Sequence, residues 1–135
     1  MKCLVIDASV TVAWMVEKAS PVALRALELI QSGTIAVVPD LWYYEVCNSL
    51  ITAERTGRAT AEVVTLLVAD IERLAEFLEA SPTSPSLLVA AARQSGLTAY
   101  DAAYWELARR RRLPLATLDA EMRAAAQKAG IEVLR

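Results

Sequence analysis

A chain of 135 residues with 56% hydrophobic and 22% charged residues is long enough to bury a core, and this composition argues against disorder. A formal net charge of −2 predicts no general affinity for nucleic acid, although it leaves room for a local basic patch. The chain has no histidine and only two cysteines, far apart, which excludes Ser-His-Asp and Cys-His nucleophiles and zinc sites built from histidine or thiolate ligands.

The sequence also indicates the number of domains and the cellular compartment. No apolar run approaches the roughly 18 residues of a membrane span, and the apolar segment after Lys2 is too short for a signal peptide. Cys3 and Cys47 fit no disulfide framework. We therefore predict a single domain over residues 1–135 in the cytoplasm, with no membrane association.

The first stretch of the chain predicts a buried strand and then a short helix over residues 8–16. The apolar run Leu4-Val5-Ile6 leads directly into Asp7, as in strands of parallel sheets that are buried on both faces. Asp7 then lies at the carboxyl end of the strand, where open α/β sheets place their binding crevice. An ionised carboxylate in that position is costly to desolvate unless a bound cation or a helix N-terminus pairs with it.

Start and stop signals divide the rest of the chain. Serine or threonine, twice followed by proline, opens helices, and glycine ends several of them. The predicted elements are a helix over 20–33, a strand over 34–38, a helix over 41–55 capped by Asp40, a helix from Thr60, helices over 84–95 and 98–112, a strand over 114–119, a helix ending at Lys128 and a strand over 131–134. Strands alternating with helices predict a mostly parallel sheet covered on both faces.

One stretch, residues 73–80, is ambiguous. Helical periodicity would continue the preceding helix through Leu74, Phe77 and Leu78, whereas a third strand before Ser81 is also compatible with the pattern.

Four acidic residues are candidates for chemistry: Asp7, Glu45, Asp101 and Asp119. Asp7 and Asp119 have an alternative interpretation as helix caps, and Asp101, three residues after a threonine, as half of a capping box. If the four carboxylates converge at one sheet edge, they raise one another's pKa unless divalent cations neutralise them. Carboxylate oxygens suit Mg²⁺ and Mn²⁺.

Glu45 is the acidic residue that helix capping explains least well. It lies inside a predicted helix, and the next turn of its face carries Asn48, Ser49 and Thr52. A helix packed on the core would place leucine there, although a solvated outer face would also carry such residues.

These residues resemble a known family in four segments. The segments are Val5-Ile6-Asp7-Ala8-Ser9, Pro39 through Asn48 around Glu45, Leu97 through Ala108 around Asp101, and Leu115-Ala116-Thr117-Leu118-Asp119. In order and spacing they look like the four acidic motifs of PIN-domain ribonucleases. The size of the chain resembles the toxin of VapBC toxin–antitoxin pairs.

The resemblance implies a three-layer α/β/α sandwich with a mostly parallel sheet of about five strands, and it favours a strand near 76–80. It also implies that Asp7, Glu45 and Asp101 bind Mg²⁺ or Mn²⁺, that Asp119 completes the acidic pocket, and that Ser9 and Thr117 orient ligands or a water. The implied activity is metal-dependent cleavage of RNA that leaves a 5′-phosphate and a 3′-hydroxyl.

The implied partners are an RNA substrate (transfer or ribosomal), a VapB-type antitoxin and a second copy of the chain. The early helices with Trp14 and Met15 offer a groove for an amphipathic antitoxin helix. The basic run 109–112 has two interpretations, as cations at a helix C-terminus or as a contact for the RNA backbone. Most aromatic residues fit the core, and those near Asp101 are the better candidates for RNA contact.

Two rival interpretations remain open. A haloacid-dehalogenase-type phosphatase would have a second aspartate where Ser9 stands and a lysine before the last acidic motif, and the only lysines after Lys2 are Lys18 and Lys128. A degenerate PIN domain would bind RNA or protein without cleavage, but all four acidic positions and both hydroxyl positions are filled.

Overall fold

The computed structural model describes residues 2–15, 20–74 and 77–135, and these residues form four strands and seven helices. In chain order the elements are β1 (Cys3–Ile6), α1 (Ala8–Met15), α2 (Pro21–Gln31), β2 (Ile35–Val38), α3 (Leu41–Arg55), α4 (Ala61–Leu74), β3 (Leu78–Ala80), α5 (Pro85–Ser95), α6 (Ala99–Arg111), β4 (Leu115–Ala116) and α7 (Ala120–Lys128). Within these residues, no helix is long and apolar enough to cross a membrane.

The four strands form one parallel sheet in the order β3-β2-β1-β4. Val5 of β1 pairs with Val37 of β2 on one side and with Leu115 of β4 on the other. Leu4, Val5 and Ile6 are completely buried because both faces of this central strand are covered. The chain leaves β1 in one direction through β2 and β3 and then returns on its other side as β4, so the β1–β4 boundary is the topological switch point.

Helices cover both faces of the sheet. Right-handed crossovers place α1 to α4 on one face and α5 and α6 on the other. Hydrogen bonds between helices agree with this, since Trp42 Nε1 of α3 donates to Thr11 Oγ1 of α1 at 3.2 Å, and Trp105 Nε1 of α6 donates to the Ala125 carbonyl of α7 at 3.1 Å. The predicted three-layer α/β/α fold is confirmed.

Most of the predicted helix starts are also confirmed. The side chains of Ser20, Ser84 and Thr98 each accept a hydrogen bond from the amide three residues later, at 3.1–3.3 Å. Asp40 is an exception, because its backbone is already helical and its side chain makes no capping bond. The prediction that Asp40 caps α3 is therefore wrong.

The strands differ from expectation in two places. Helix α4 ends at Leu74 and residues 78–80 form the edge strand β3. The predicted strand is therefore confirmed there, and the alternative of a helix that continues through Leu78 is wrong. Residues 75 and 76 lie outside the described part of the chain, as does the predicted end of α1 at Val16. The predicted strand over 131–134 is reduced to one parallel bridge between Val133 and Leu115. The sheet therefore has four strands and this bridge, against the five expected.

Candidate active site

A cleft of about 530 Å³ opens at the carboxyl edge of the sheet, next to β1 and β4. It lies at the topological switch point, where α/β sheets bind their ligands. It contains all four acidic residues singled out in the sequence. Its lining consists of Asp7, Ala8, Ser9, Val12, Glu45, Asn48, Ser49, Asp101, Leu118 and Asp119. No lysine or arginine is among these residues.

Asp7 follows β1 directly and is the most buried of the four, with 6% of its surface exposed. The hydroxyls of Ser9 and Thr117 both donate to its Oδ2 atom at 2.8 Å. Burial raises the pKa of the Asp7 carboxyl, the two hydroxyl hydrogen bonds lower it in part, and the charge of Asp119 raises it further. The net shift is upward, so an ionised Asp7 is costly to the folded chain when no cation is bound.

Ser9 and Thr117 link Asp7 to the loop after β4. Ser9 Oγ accepts a hydrogen bond from the Leu118 amide, and Thr117 Oγ1 accepts one from the Asp119 amide, both at 3.1 Å. Each hydroxyl has one proton to donate, and in both cases Asp7 receives it. The geometry therefore uses both hydroxyls to orient the Asp7 carboxylate.

Glu45 reaches the cleft from the second turn of α3. The hydroxyl of Tyr104 donates to its Oε1 atom at 2.6 Å. Burial raises the pKa of Glu45, the bond from Tyr104 lowers it, and the charges of Asp7 and Asp101 raise it further. Glu45 is half-buried beside other acids of the cleft, which favours the functional interpretation of this helix face over a solvated outer surface.

The polar residues that follow Glu45 separate into two groups. Asn48 and Ser49 line the cleft beside it, whereas Thr52 is exposed and lies outside the cleft. The sequence pattern therefore identified the right helix face for one turn beyond Glu45.

Asp101 lies in the first turn of α6. Its amide donates to the capping Thr98 hydroxyl at 3.2 Å, but its carboxylate forms no hydrogen bond within the described part of the chain, so there is no reciprocal capping box. Burial raises the pKa of Asp101, and the charges of Asp119, Asp7 and Glu121 raise it further.

Asp119 caps α7, as its position after a strand suggested. Its Oδ1 atom accepts hydrogen bonds from the amides of Glu121 at 2.8 Å and Met122 at 3.1 Å. Both bonds use one oxygen of the carboxylate. The same side chain lines the cleft beside Asp7. The role of Asp119 as a helix cap is therefore compatible with a role in the cleft.

The donor set fits a hard divalent cation. The cleft offers carboxylate oxygens without histidine, thiolate or basic side chains. Neighbouring negative charges raise the pKa of Asp7, Glu45 and Asp101, and a bound cation would counteract that effect. No three acidic residues of ranges 2–15, 20–74 and 77–135 surround a single point closely enough to form a ready-made metal cage. Hard divalent cations such as Mg²⁺ take oxygen ligands of this kind.

Tyr104 makes a contact with Glu45 that the sequence interpretation missed, since its aromatic ring suggested core packing or RNA contact. It is completely buried on α6. Burial and the neighbouring Glu45 raise its pKa far above the ordinary value of a tyrosine, so it remains a hydrogen-bond donor. The available signal was its spacing from Asp101, because residues three apart lie on the same helix face.

The basic run lies at the other end of α6 from Asp101. Arg109 stacks over the Trp105 ring and donates to Gln94, Arg110 pairs with Glu106 at 2.7 Å, and Arg111 pairs with Glu79 at 2.8 Å. At 1.5 Å of rise per residue, the run begins about 12 Å along the helix from Asp101. These contacts favour a structural role for the run.

Aromatic residues near Asp101 divide by burial. Tyr104 and Trp105 are buried, whereas Tyr100 is 70% exposed. Trp14 is half-buried and donates to the Ala23 carbonyl, joining α1 to α2. Of the candidates for RNA contact near Asp101, only Tyr100 has an accessible ring.

Comparison with known proteins agrees with this site. The family model described as the PIN domain matches residues 4–128. The chain belongs to the PIN-domain family. PIN domains are generally nucleases and typically use divalent metals. No curated protein matches the sequence.

Two solved structures show the same PIN fold. PAE2754 from Pyrobaculum aerophilum superposes with a TM-score of 0.74 and 22% identity, over 98% of this chain and 83% of that chain. FitAcB from Neisseria gonorrhoeae superposes with a TM-score of 0.66 and 14% identity, over 98% of this chain and 96% of that chain. At these identities the likeness concerns the fold, and it confirms the predicted PIN-like architecture.

Proposed function

We propose that this PIN domain, residues 1–135, is a Mg²⁺- or Mn²⁺-dependent endoribonuclease and the toxin of a VapBC-type toxin–antitoxin pair in the cytoplasm. The observation that carries the proposal is the convergence of Asp7, Glu45, Asp101 and Asp119 in one cleft that no basic side chain lines. Four carboxylates from two strand ends and two helices have no structural need to meet. Their mutual repulsion is a cost that a bound cation would remove.

In this proposal Asp7, Glu45 and Asp101 hold the cation, directly or through water, and Asp119 completes the pocket. A bound divalent cation lowers the pKa of a water and stabilises negative charge on a phosphate. The chain has no histidine to act as a general base, so this chemistry suits its residues.

The protein's own contribution is the orientation of these carboxylates. Ser9 and Thr117 both donate to the Oδ2 atom of Asp7 and so hold that carboxylate in place at the cleft. The two amides of the α7 cap hold the Asp119 carboxylate through its Oδ1 atom. These bonds fix the acids before any ligand arrives, which lowers the ordering cost of binding.

The proposed substrate is transfer or ribosomal RNA, cut to leave a 5′-phosphate and a 3′-hydroxyl. Tyr100 supports this, because an exposed ring next to Asp101 is available to stack on an unpaired base. The proposed partners are a VapB-type antitoxin, which would place an amphipathic helix near Trp14 and Met15, and a second copy of the chain as a homodimer.

Cleavage of total cellular RNA by the purified chain, with Mg²⁺ or Mn²⁺ and with chelator, tests the proposal. We expect cuts at one or a few sites that require the metal and are lost in Asp7→Asn. Asp40→Asn is the matched control, because Asp40 is exposed and makes no capping bond, and it should cleave like the wild type. Wild-type rates in Asp7→Asn, or cleavage that survives chelation, would contradict the proposal.

A further inference from the structure

The hydrogen bond from Tyr104 to Glu45 joins residues 59 positions apart and lies beneath the cleft. Tyr104 is completely buried and does not line the cleft, whereas Glu45 does. At 2.6 Å between the two oxygens, the bond has the short length of a hydroxyl donating to a carboxylate. The contact therefore acts on Glu45 from the protein side and leaves the ligand side open.

The position of Tyr104 on α6 gives this bond a second consequence. Asp101 and Tyr104 are three residues apart, so one turn of α6 presents a carboxylate to the cleft and a hydroxyl to the carboxylate of α3. The bond thus connects the two helices that carry Asp101 and Glu45. It also fixes a glutamate side chain, which otherwise has considerable rotamer freedom to lose on binding.

We propose that Tyr104 is a positioning residue that holds Glu45 in the orientation in which it binds the divalent cation together with Asp101. This inference rests on the proposed function, since it assigns Tyr104 a task only if the cleft binds a cation. It assigns the tyrosine no contact with RNA or with the cation. Its effect passes through the carboxylate that it holds.

Tyr104→Phe removes the hydroxyl and keeps the buried ring. Partners that orient metal ligands typically change metal affinity 10- to 100-fold when they are removed, so we expect Mn²⁺ to bind at least about tenfold more weakly, as measured by calorimetric titration without RNA. Thr11→Val is the matched control. It removes the buried acceptor of the Trp42 Nε1 bond between α1 and α3 and leaves the cleft lining intact, so Mn²⁺ affinity should be unchanged.

A spectroscopic measurement does not depend on the folding of Tyr104→Phe. The chain has four tyrosines, and the variant Tyr43→Phe/Tyr44→Phe/Tyr100→Phe leaves Tyr104 as the only one, while the three others are all at least partly exposed. In a chain labelled with ¹³C in its tyrosine rings, adding Mg²⁺ should shift the nuclear magnetic resonance signal of the Tyr104 ring carbon that bears the hydroxyl, because the cation draws electron density from Glu45 and weakens the bond. A spectrum that does not change would overturn the proposal.

The outcomes separate this inference from the proposed function. Weaker Mn²⁺ binding in Tyr104→Phe alone supports the positioning role. Wild-type binding in Tyr104→Phe, or an equal loss in Thr11→Val, overturns it while the nuclease proposal stands. A wild-type chain that binds no Mn²⁺ and cleaves no RNA overturns both.

Discussion

Replacing Thr117 with valine removes a hydroxyl that has two partners and changes the shape of the side chain little. Thr117 is completely buried. Its Oγ1 atom donates to Asp7 Oδ2 at 2.8 Å and accepts from the Asp119 amide at 3.1 Å. Valine satisfies neither group, so the substitution tests whether these bonds hold Asp7 in the folded chain.

The size of the effect follows from the two bonds. A hydrogen bond to a charged group contributes about 1.5–3 kcal/mol and a neutral one about 0.5–1.5 kcal/mol, so we expect a loss of about 2–4.5 kcal/mol. The unfolding entropy of 135 residues is about 0.28 kcal/mol/K. The melting temperature should therefore fall by roughly 7–16 °C.

Thermal unfolding followed by circular dichroism, with chelator present, measures this loss. Thr65→Val is the matched control, because the Thr65 hydroxyl donates to the Ala61 carbonyl on an exposed helix face, and its effect should stay within about 0.5 kcal/mol. The bond from Thr117 lowers the pKa of Asp7, so its contribution is present while Asp7 is ionised and declines as pH falls through the folded-state pKa. Equal melting temperatures for the two variants would refute the reasoning.

Three further predictions concern charge. Burial raises the pKa of Asp7 above its ordinary value of 3.8. The contribution of protonated Asp7 to the stability of the folded chain is therefore fully present below pH 3.8, and it is lost as pH rises through the folded-state pKa. In chelator, Asp7→Asn should thus melt at a higher temperature than the wild type at neutral pH and show no such gain below pH 3.8. Mn²⁺ at 100 times its dissociation constant should stabilise the wild type by about 2.7 kcal/mol, with a much smaller shift in Glu45→Gln as the check by thermal unfolding. Arg111→Gln breaks a surface ion pair with Glu79 and should leave the salt dependence of RNA binding unchanged, whereas a shallower slope would show that the run contacts RNA.

Much of this fold could be predicted from short sequence patterns such as helix caps and apolar runs. Serine or threonine caps and terminal glycines set the helix boundaries, and the caps at Ser20, Ser84 and Thr98 are all present. The apolar run before Asp7 predicted a buried parallel strand, and the sheet confirms it. These features depend on neighbours within a few residues, so a single sequence contains them.

Elements at the sheet edge were less predictable. Residues 78–80 have helical periodicity but pair with β2 as an edge strand, and residues 131–134 look like a strand but contribute one bridge. In both cases the outcome depends on which backbone groups a distant strand leaves available for pairing. Local periodicity carries no information about that.

The candidate site divides in the same way. The sequence by itself determined the chemistry, because a chain without histidine that places acids after its strands and inside a helix can offer a ligand little besides carboxylate oxygen. Only the tertiary structure decided which groups meet. In the folded chain the hydroxyls of Ser9 and Thr117 donate hydrogen bonds to Asp7, and Tyr104 donates one to Glu45, which is 59 residues away in the sequence. Hydrogen bonds act over about 3 Å, so these partners follow from the strand order and helix packing that bring distant segments together.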